Sequence, residues 1–171
     1  MSTEGLGTPR VEYMDLAAIV RAPLDLRWLA GFFDGDGSVG IYRRKAHSTD
    51  RTHPEEFFIS AAFTQRDPAI LHEIRARFGG GHLTFRSSAY KGHAKAGSGA
   101  WNLIYTHGQA LVVLEAIREH VRIKRAEVEQ AVAFQRRKAG RGVPTSADAR
   151  ARQRQDYEAS KALKLERRAR A

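Results

Sequence analysis

Apolar residues between Leu24 and Asp36 fall on two sides of a helix rather than one. At about 100° per residue, Leu26, Leu29, Ala30 and Phe33 share one side, and Leu24, Trp28, Gly31, Phe32 and Gly35 share the other. A helix that is apolar all round has to be buried all round. A small chain achieves this by packing one side on its own core and the other on a second copy of itself. Pro23 suits the first helical turn and Asp25 complements the positive end of the dipole, while Asp34-Gly35-Asp36-Gly37 stops the helix. Gly31 and Gly35, four residues apart, form a stripe along which two helix backbones can approach closely.

After this helix the period changes to two. Ser38 to His47 reads as a strand, a polar loop covers Ser48 to Pro54, and Glu56 to Gln65 reads as a second strand. There Phe57, Ile59, Ala61 and Phe63 alternate with Glu56, Phe58, Ser60 and Ala62, so one face meets a core and the other can be wet. Asp67-Pro68 starts a helix with Ile70, Leu71, Ile74 and Phe78 on its apolar side, and Gly79-Gly80-Gly81 ends it. A third strand near His82 to Arg86 and a fourth near Trp101 to Thr106 flank a hairpin rich in Gly, Lys and His. Helices follow at Gln109 to Glu119 and Val121 to Lys138. The order αββαββα predicts an α+β domain: a four-stranded antiparallel sheet with helices on one face and the other face free.

The nonapeptide Leu29 to Gly37, Leu-Ala-Gly-Phe-Phe-Asp-Gly-Asp-Gly, occurs once. It resembles the LAGLIDADG motif of homing endonucleases, and the resemblance extends over roughly residues 24 to 140. It implies that family's saddle-shaped sheet and, because single-motif members work as homodimers, two chains acting on one DNA duplex. Leu24, Trp28, Gly31, Phe32 and Gly35 then form the dimer interface, and the two copies of Asp36 come near the dyad. Hydrolysis of a phosphodiester by metal ions needs carboxylates that hold divalent cations, and Mg2+ accepts one or two carboxylates with water and phosphate completing its shell. By resemblance, Asp36 is the essential ligand of Mg2+ (or Mn2+), the Gly35 carbonyl supports it, and Asp34 is structural. Gln65 matches a position that orders water around the metal, and Lys124 a basic residue near the scissile phosphate. Where related chains carry another basic residue shortly after the glutamine, this chain has Pro68, Ala69 and Ile70; Arg66 is the candidate substitute. Two other readings of the same stretch fail. Gly35-x-Gly37-x-x-Gly40 lies between helix and strand in the wrong order for a dinucleotide loop, and a calcium loop starting at Asp34 would place Val39 and Lys45 where Gly and Glu are required.

The resemblance also assigns the free sheet face to DNA. Gly40, Tyr42 and Arg44 share one parity and face bases, joined by Glu56, Phe58, Ser60 and Ala62 and by His82, Thr84 and Arg86. Loop residues Arg51, Lys91, His93 and Lys95 would meet phosphate, adding affinity and salt dependence rather than sequence choice. Strands of about ten residues at roughly 3.3 Å each give a surface of about 33 Å. A dimer would therefore cover roughly 20 base pairs, and its two-fold symmetry calls for a near-palindromic site. Cuts across the minor groove with short 3′ overhangs are what the family implies.

Charge agrees with such a partner. A formal +10 on 171 residues suits phosphate binding, and of 29 basic residues 22 are Arg, the planar donor that clamps phosphate and reads guanine. There is no cysteine, which excludes disulfide frameworks and zinc ribbons. No signal peptide or apolar span is evident, so no membrane is expected and the protein should be intracellular, in the cytoplasm of a prokaryote or in an organelle, and not secreted. Residues 1–22 read as an N-terminal extension, 23–140 as the endonuclease core and 141–171 as a basic C-terminal extension. The extension reads as a loosely attached helix capped by Thr145, whose Lys161, Lys164, Arg167, Arg168 and Arg170 would add phosphate contact. The alternatives to a cutting enzyme are a non-cleaving DNA-binding regulator, against which Asp36 argues, and a maturase whose partner is intron RNA.

Overall fold

A computed structural model describes residues 24–45, 55–87, 99–138 and 145–170. Pro23, His47, the 48–54 loop, the 88–98 part of the hairpin with Lys91, His93 and Lys95, and Arg51 lie outside the described residues, as does the 1–22 extension. Helix α1, Leu26–Asp36, begins one residue after Asp25, whose carboxylate caps it by accepting the Arg27 amide at 2.7 Å. Asp25 is thus the N-cap and not a first-turn residue. At the other end the Gly37 amide donates to the Phe33 carbonyl. A Cβ at Gly37 would sit 2.3 Å from a Phe33 ring carbon, so the last residue of the nonapeptide must be glycine for the chain to turn this tightly out of the helix.

Strands β1 (Gly37–Arg44), β2 (Glu56–Gln65), β3 (His82–Ser87) and β4 (Gly99–Thr106) form one antiparallel sheet in the order β1-β2-β4-β3. β1 is shorter than the sequence predicts, ending at Arg44, whereas β2 has the expected bounds. Helix α2 (Ala69–Phe78) joins β2 to β3 and stops at three glycines with φ of 68°, 58° and 69°, backbone that side chains with a Cβ resist. Helices α3 (His107–Ile117), α4 (Arg125–Arg137) and α5 (Ala147–Ala169) follow. All odd-numbered positions from Val39 to Ile41 and from Phe57 to Phe63, with Leu103 and Tyr105, are buried against Leu29, Ala30 and Phe33 of α1, Leu71 and Ile74 of α2, and the inner sides of α3 and α4. Phe33 and Phe63 meet edge to face at 5.2 Å, tying the nonapeptide to the middle of the sheet.

Two expectations need correction. The helix expected over Val121 to Lys138 starts only at Arg125, because the amides of Arg122, Ile123 and Lys124 turn aside to donate to the Asp34 carboxylate at 2.7, 3.1 and 2.9 Å. The C-terminal segment is not loosely attached. Ser146, not Thr145, caps α5 by accepting the Ala149 amide at 3.2 Å. The helix lies against α4 and along β1. Tyr157 packs on Phe57, Arg167 pairs with buried Glu127 at 2.6 Å, Arg137 with Asp156 at 3.0 Å, and Arg154 with Glu55 at 2.7 Å. Buried Ser160 accepts the Ile41 amide at 3.1 Å. That amide lies on the outer edge of β1, where an unpaired donor would invite another strand; α5 covers it.

Candidate active site and nucleic-acid interface

The two acidic residues of the nonapeptide point to different tasks. Asp34 is spent on structure, accepting three backbone amides and so clamping the end of α1 to the turn before α4. Asp36 is exposed, and within the chain one of its oxygens accepts a hydrogen bond from Gln65 Nε2 at 2.8 Å. The sequence separates Asp36 and Gln65 by 29 positions; pairing of Gly37 with Phe63 across β1 and β2 brings them together.

Lys124 completes the region beneath. Its ammonium is buried and donates to the carbonyls of Phe33, at 2.9 Å, and Asp34, which places a cation at the negative end of the α1 dipole. Burial lowers its pKa from the ordinary 10.5 and Arg167 adds to that, while Asp34, Glu127 and Asp36 oppose it. The structure therefore gathers Asp36, Gln65 and Lys124 at one helix end, with Lys124 engaged beneath the acid rather than extended into solvent. Gly35, beside Asp36, is exposed. Arg66 is exposed just past Gln65.

Among the described residues no three His, Cys, Asp or Glu side chains cluster as a metal cage. A lone, exposed carboxylate with one oxygen held by Gln65 fits a cation that takes few protein ligands, as Mg2+ does. It does not fit a structural ion needing a full protein shell.

The outer side of α1 remains open. Trp28 is 50% exposed, a Cβ added at Gly31 or Gly35 would meet nothing within 4 Å, and a cleft of about 460 Å³ runs beside Arg27, Gly31 and Asp34. Of the residues assigned to this side, Phe32 is half-buried, stacked between Trp28 at 5.4 Å and Phe63 at 6.0 Å, and Leu24 packs against the core.

Strand register puts every residue assigned to the reading surface on one sheet face. Gly40 pairs with Ser60 and Tyr42 with Phe58, Ala62 with Ile104, and Ile104 with His82. The same register adds Thr64, Asn102, Ile104 and Thr106, which sequence reasoning missed. Asn102 accepts from the Thr64 hydroxyl in the centre of the face and pairs with Thr84. Their signal was present in the alternation of Trp101, Leu103 and Tyr105 with Asn102, Ile104 and Thr106. Far from Asp36, Glu56 gathers Arg44, His107 at 3.1 Å and Lys138 at 3.3 Å. Burial pushes the Glu56 carboxyl up, but hydrogen bonds from His107 and Lys138 and the nearby charges outweigh it, leaving its pKa below the ordinary 4.5. Arg44 is thus already paired on the face.

Comparison with known proteins bears on these features. The LAGLIDADG endonuclease family model matches residues 29–107. No curated protein matches by sequence. Among solved structures, the chain is similar to homing endonuclease I-CvuI in complex with its target, at 20% identity and a TM-score of 0.50 over 65% of each chain. It is also similar to I-CvuI in complex with the I-CreI target, at 19% identity and a TM-score of 0.52 over 78% of this chain and 92% of that one. The first of these alignments spans just under two thirds of its relative's length, and both likenesses establish the homing-endonuclease fold. No helix among the described residues is long and apolar enough to cross a membrane. The nonapeptide is intact, its acid is exposed and the αββαββα order is in place, so over residues 29–107 the chain is similar to the LAGLIDADG endonuclease family.

Proposed function

We propose that two copies of this chain bind one DNA duplex and cut both of its strands at a near-palindromic site by metal-dependent hydrolysis, leaving short 3′ overhangs. The observation that carries this reading is the exposed Asp36 carboxylate, held by Gln65 at 2.8 Å at the end of a helix whose outer side is open to a twin. Packing the Gly31 and Gly35 stripes of two α1 helices together would cover Trp28 and set the two Asp36 residues near the dyad. Asp36 and the Gly35 carbonyl would hold Mg2+ or Mn2+, which supplies an activated water and charge neutralisation at the leaving oxygen when bound. Gln65 fixes the orientation of the Asp36 carboxylate and can donate to nearby water. Lys124, buried on the carbonyls of Phe33 and Asp34, holds the helix end and contributes a positive field as phosphate charge develops. The reading face then follows the groove. The I-CvuI structures are in complex with DNA, which supports a duplex as partner.

The test is incubation of the purified chain with a library of palindromic duplexes of about 20 base pairs, in magnesium and separately in calcium, followed by sequencing of cut ends and retained molecules. Paired 3′ overhangs in magnesium are expected. Retention of selected duplexes without cutting in either ion would make the chain a DNA-binding regulator, and neither outcome would point to intron RNA.

A further inference from the structure

Helix α5 does more than cover the edge of β1. Tyr157, Ser160 and Lys164 lie three and four residues apart, on one side of the helix, and each meets the sheet at a different level. Tyr157 packs on Phe57, in the core. Ser160 takes the Ile41 amide, at the edge. Lys164 passes the edge and arrives on the opposite face, where its ammonium lies 4.8 Å from the centre of the Tyr42 ring and 3.4 Å from the Tyr42 hydroxyl.

The passage is through Gly40. A Cβ there would lie 2.3 Å from Lys164 Nζ and 2.7 Å from Cε. Gly40 is extended strand and needs no special backbone angle; its lack of a side chain makes the notch through which the lysine reaches the face. Three other cations of the helix are paired with carboxylates: Lys161 with Glu158, Arg167 with Glu127 and Arg154 with Glu55. Lys164 makes no ion pair with a carboxylate among the described residues. Its charge is held by the Tyr42 ring and hydroxyl, weak contacts that leave the ammonium able to bind an anion and lower the cost of fixing a flexible side chain.

We infer that Lys164, delivered by the C-terminal helix through the Gly40 notch, is a phosphate contact of the DNA-reading face, binding the backbone of the strand that passes the β1 edge. A lysine is a compact point charge without the planar fork that reads guanine, so it positions the duplex and does not select bases. The inference rests on the duplex-binding reading above.

The full chain and its variants Lys164→Gln, Gly40→Ala and the double substitution are titrated with a labelled pool of palindromic duplexes of about 20 base pairs in calcium, across a range of salt. Arg154→Gln, which removes the same charge elsewhere on α5, is the control. Lys164→Gln should weaken binding and make the slope of log K against log salt shallower by about 0.9 for each chain bound, with Arg154→Gln keeping the parental slope. Gly40→Ala should do the same by displacing the ammonium, at unchanged circular dichroism, and the double variant should be no worse than either single one. An unchanged slope in Lys164→Gln, or additive losses in the double variant, overturns the inference alone. Failure of the parent chain to hold any duplex overturns it together with the functional reading.

Discussion

Gln65 donates to the Asp36 carboxylate at 2.8 Å, joining the end of β2 to the end of α1. If this bond sets the orientation of the acid, its loss should affect turnover and not affinity. Gln65→Ala is expected to slow cleavage by roughly 10²-fold, the scale of a misplaced catalytic group, with duplex affinity in calcium unchanged. Single-turnover cleavage beside a binding titration checks this.

Asp34, two residues earlier, should behave in the opposite way. Asp34→Ala strips three amides of their acceptor and should cost about 2 kcal/mol, lowering the melting temperature by roughly 4–8 °C. Asp34→Asn, which keeps a carbonyl acceptor, should lose less. Thermal denaturation gives the values, and cleavage measured well below the transition should persist in both variants.

On the outer side of α1, a Cβ at Gly31 meets nothing within 4 Å, and Gly31→Leu improves helix propensity. The variant should remain folded but become monomeric. Sedimentation equilibrium paired with circular dichroism decides it; a fully dimeric Gly31→Leu would refute the proposed helix interface.

Ser160→Ala would leave the Ile41 amide buried and unpaired, at a cost of about 1–3 kcal/mol. Because that amide belongs to an edge strand, light scattering on warming should rise earlier than in the parent. Ser160→Thr, which keeps the hydroxyl, should restore part of the loss.

Burial pushes the Tyr105 phenol up from 10.0 to about 12, with Arg75 opposing. A raised folded pKa means that this residue's contribution is intact below pH 10 and is lost as pH rises toward about 12. Denaturant titrations over that range should show stability falling, and Tyr105→Phe should flatten the fall.

How far the sequence could lead is clear at particular residues. The period-two run from Phe57 to Phe63 and the glycines at 79–81 defined β2 and the end of α2 because their signals are local. Asp36 and Gln65 were identifiable by resemblance, yet their contact depends on the β1–β2 register, a long-range pairing. Nothing local marks Val121–Lys124 as a turn; Asp34, 88 to 90 positions away, draws its amides out of helix. Lys124 was assigned by resemblance to the neighbourhood of the scissile phosphate; its burial on the carbonyls of Phe33 and Asp34 had no local signal. The docking of α5 was hidden because its mean composition is polar, and only Tyr157, Ser160 and the stem of Lys164 carry it onto the sheet.

The most direct measurement compares the parent chain with Asp36→Asn on the duplex that the library selects, in magnesium, with binding followed in parallel. The parent should cut both strands while Asp36→Asn binds with similar affinity and leaves both intact. Cleavage by Asp36→Asn at an undiminished rate would contradict the assignment of this acid and, with it, the proposed active site.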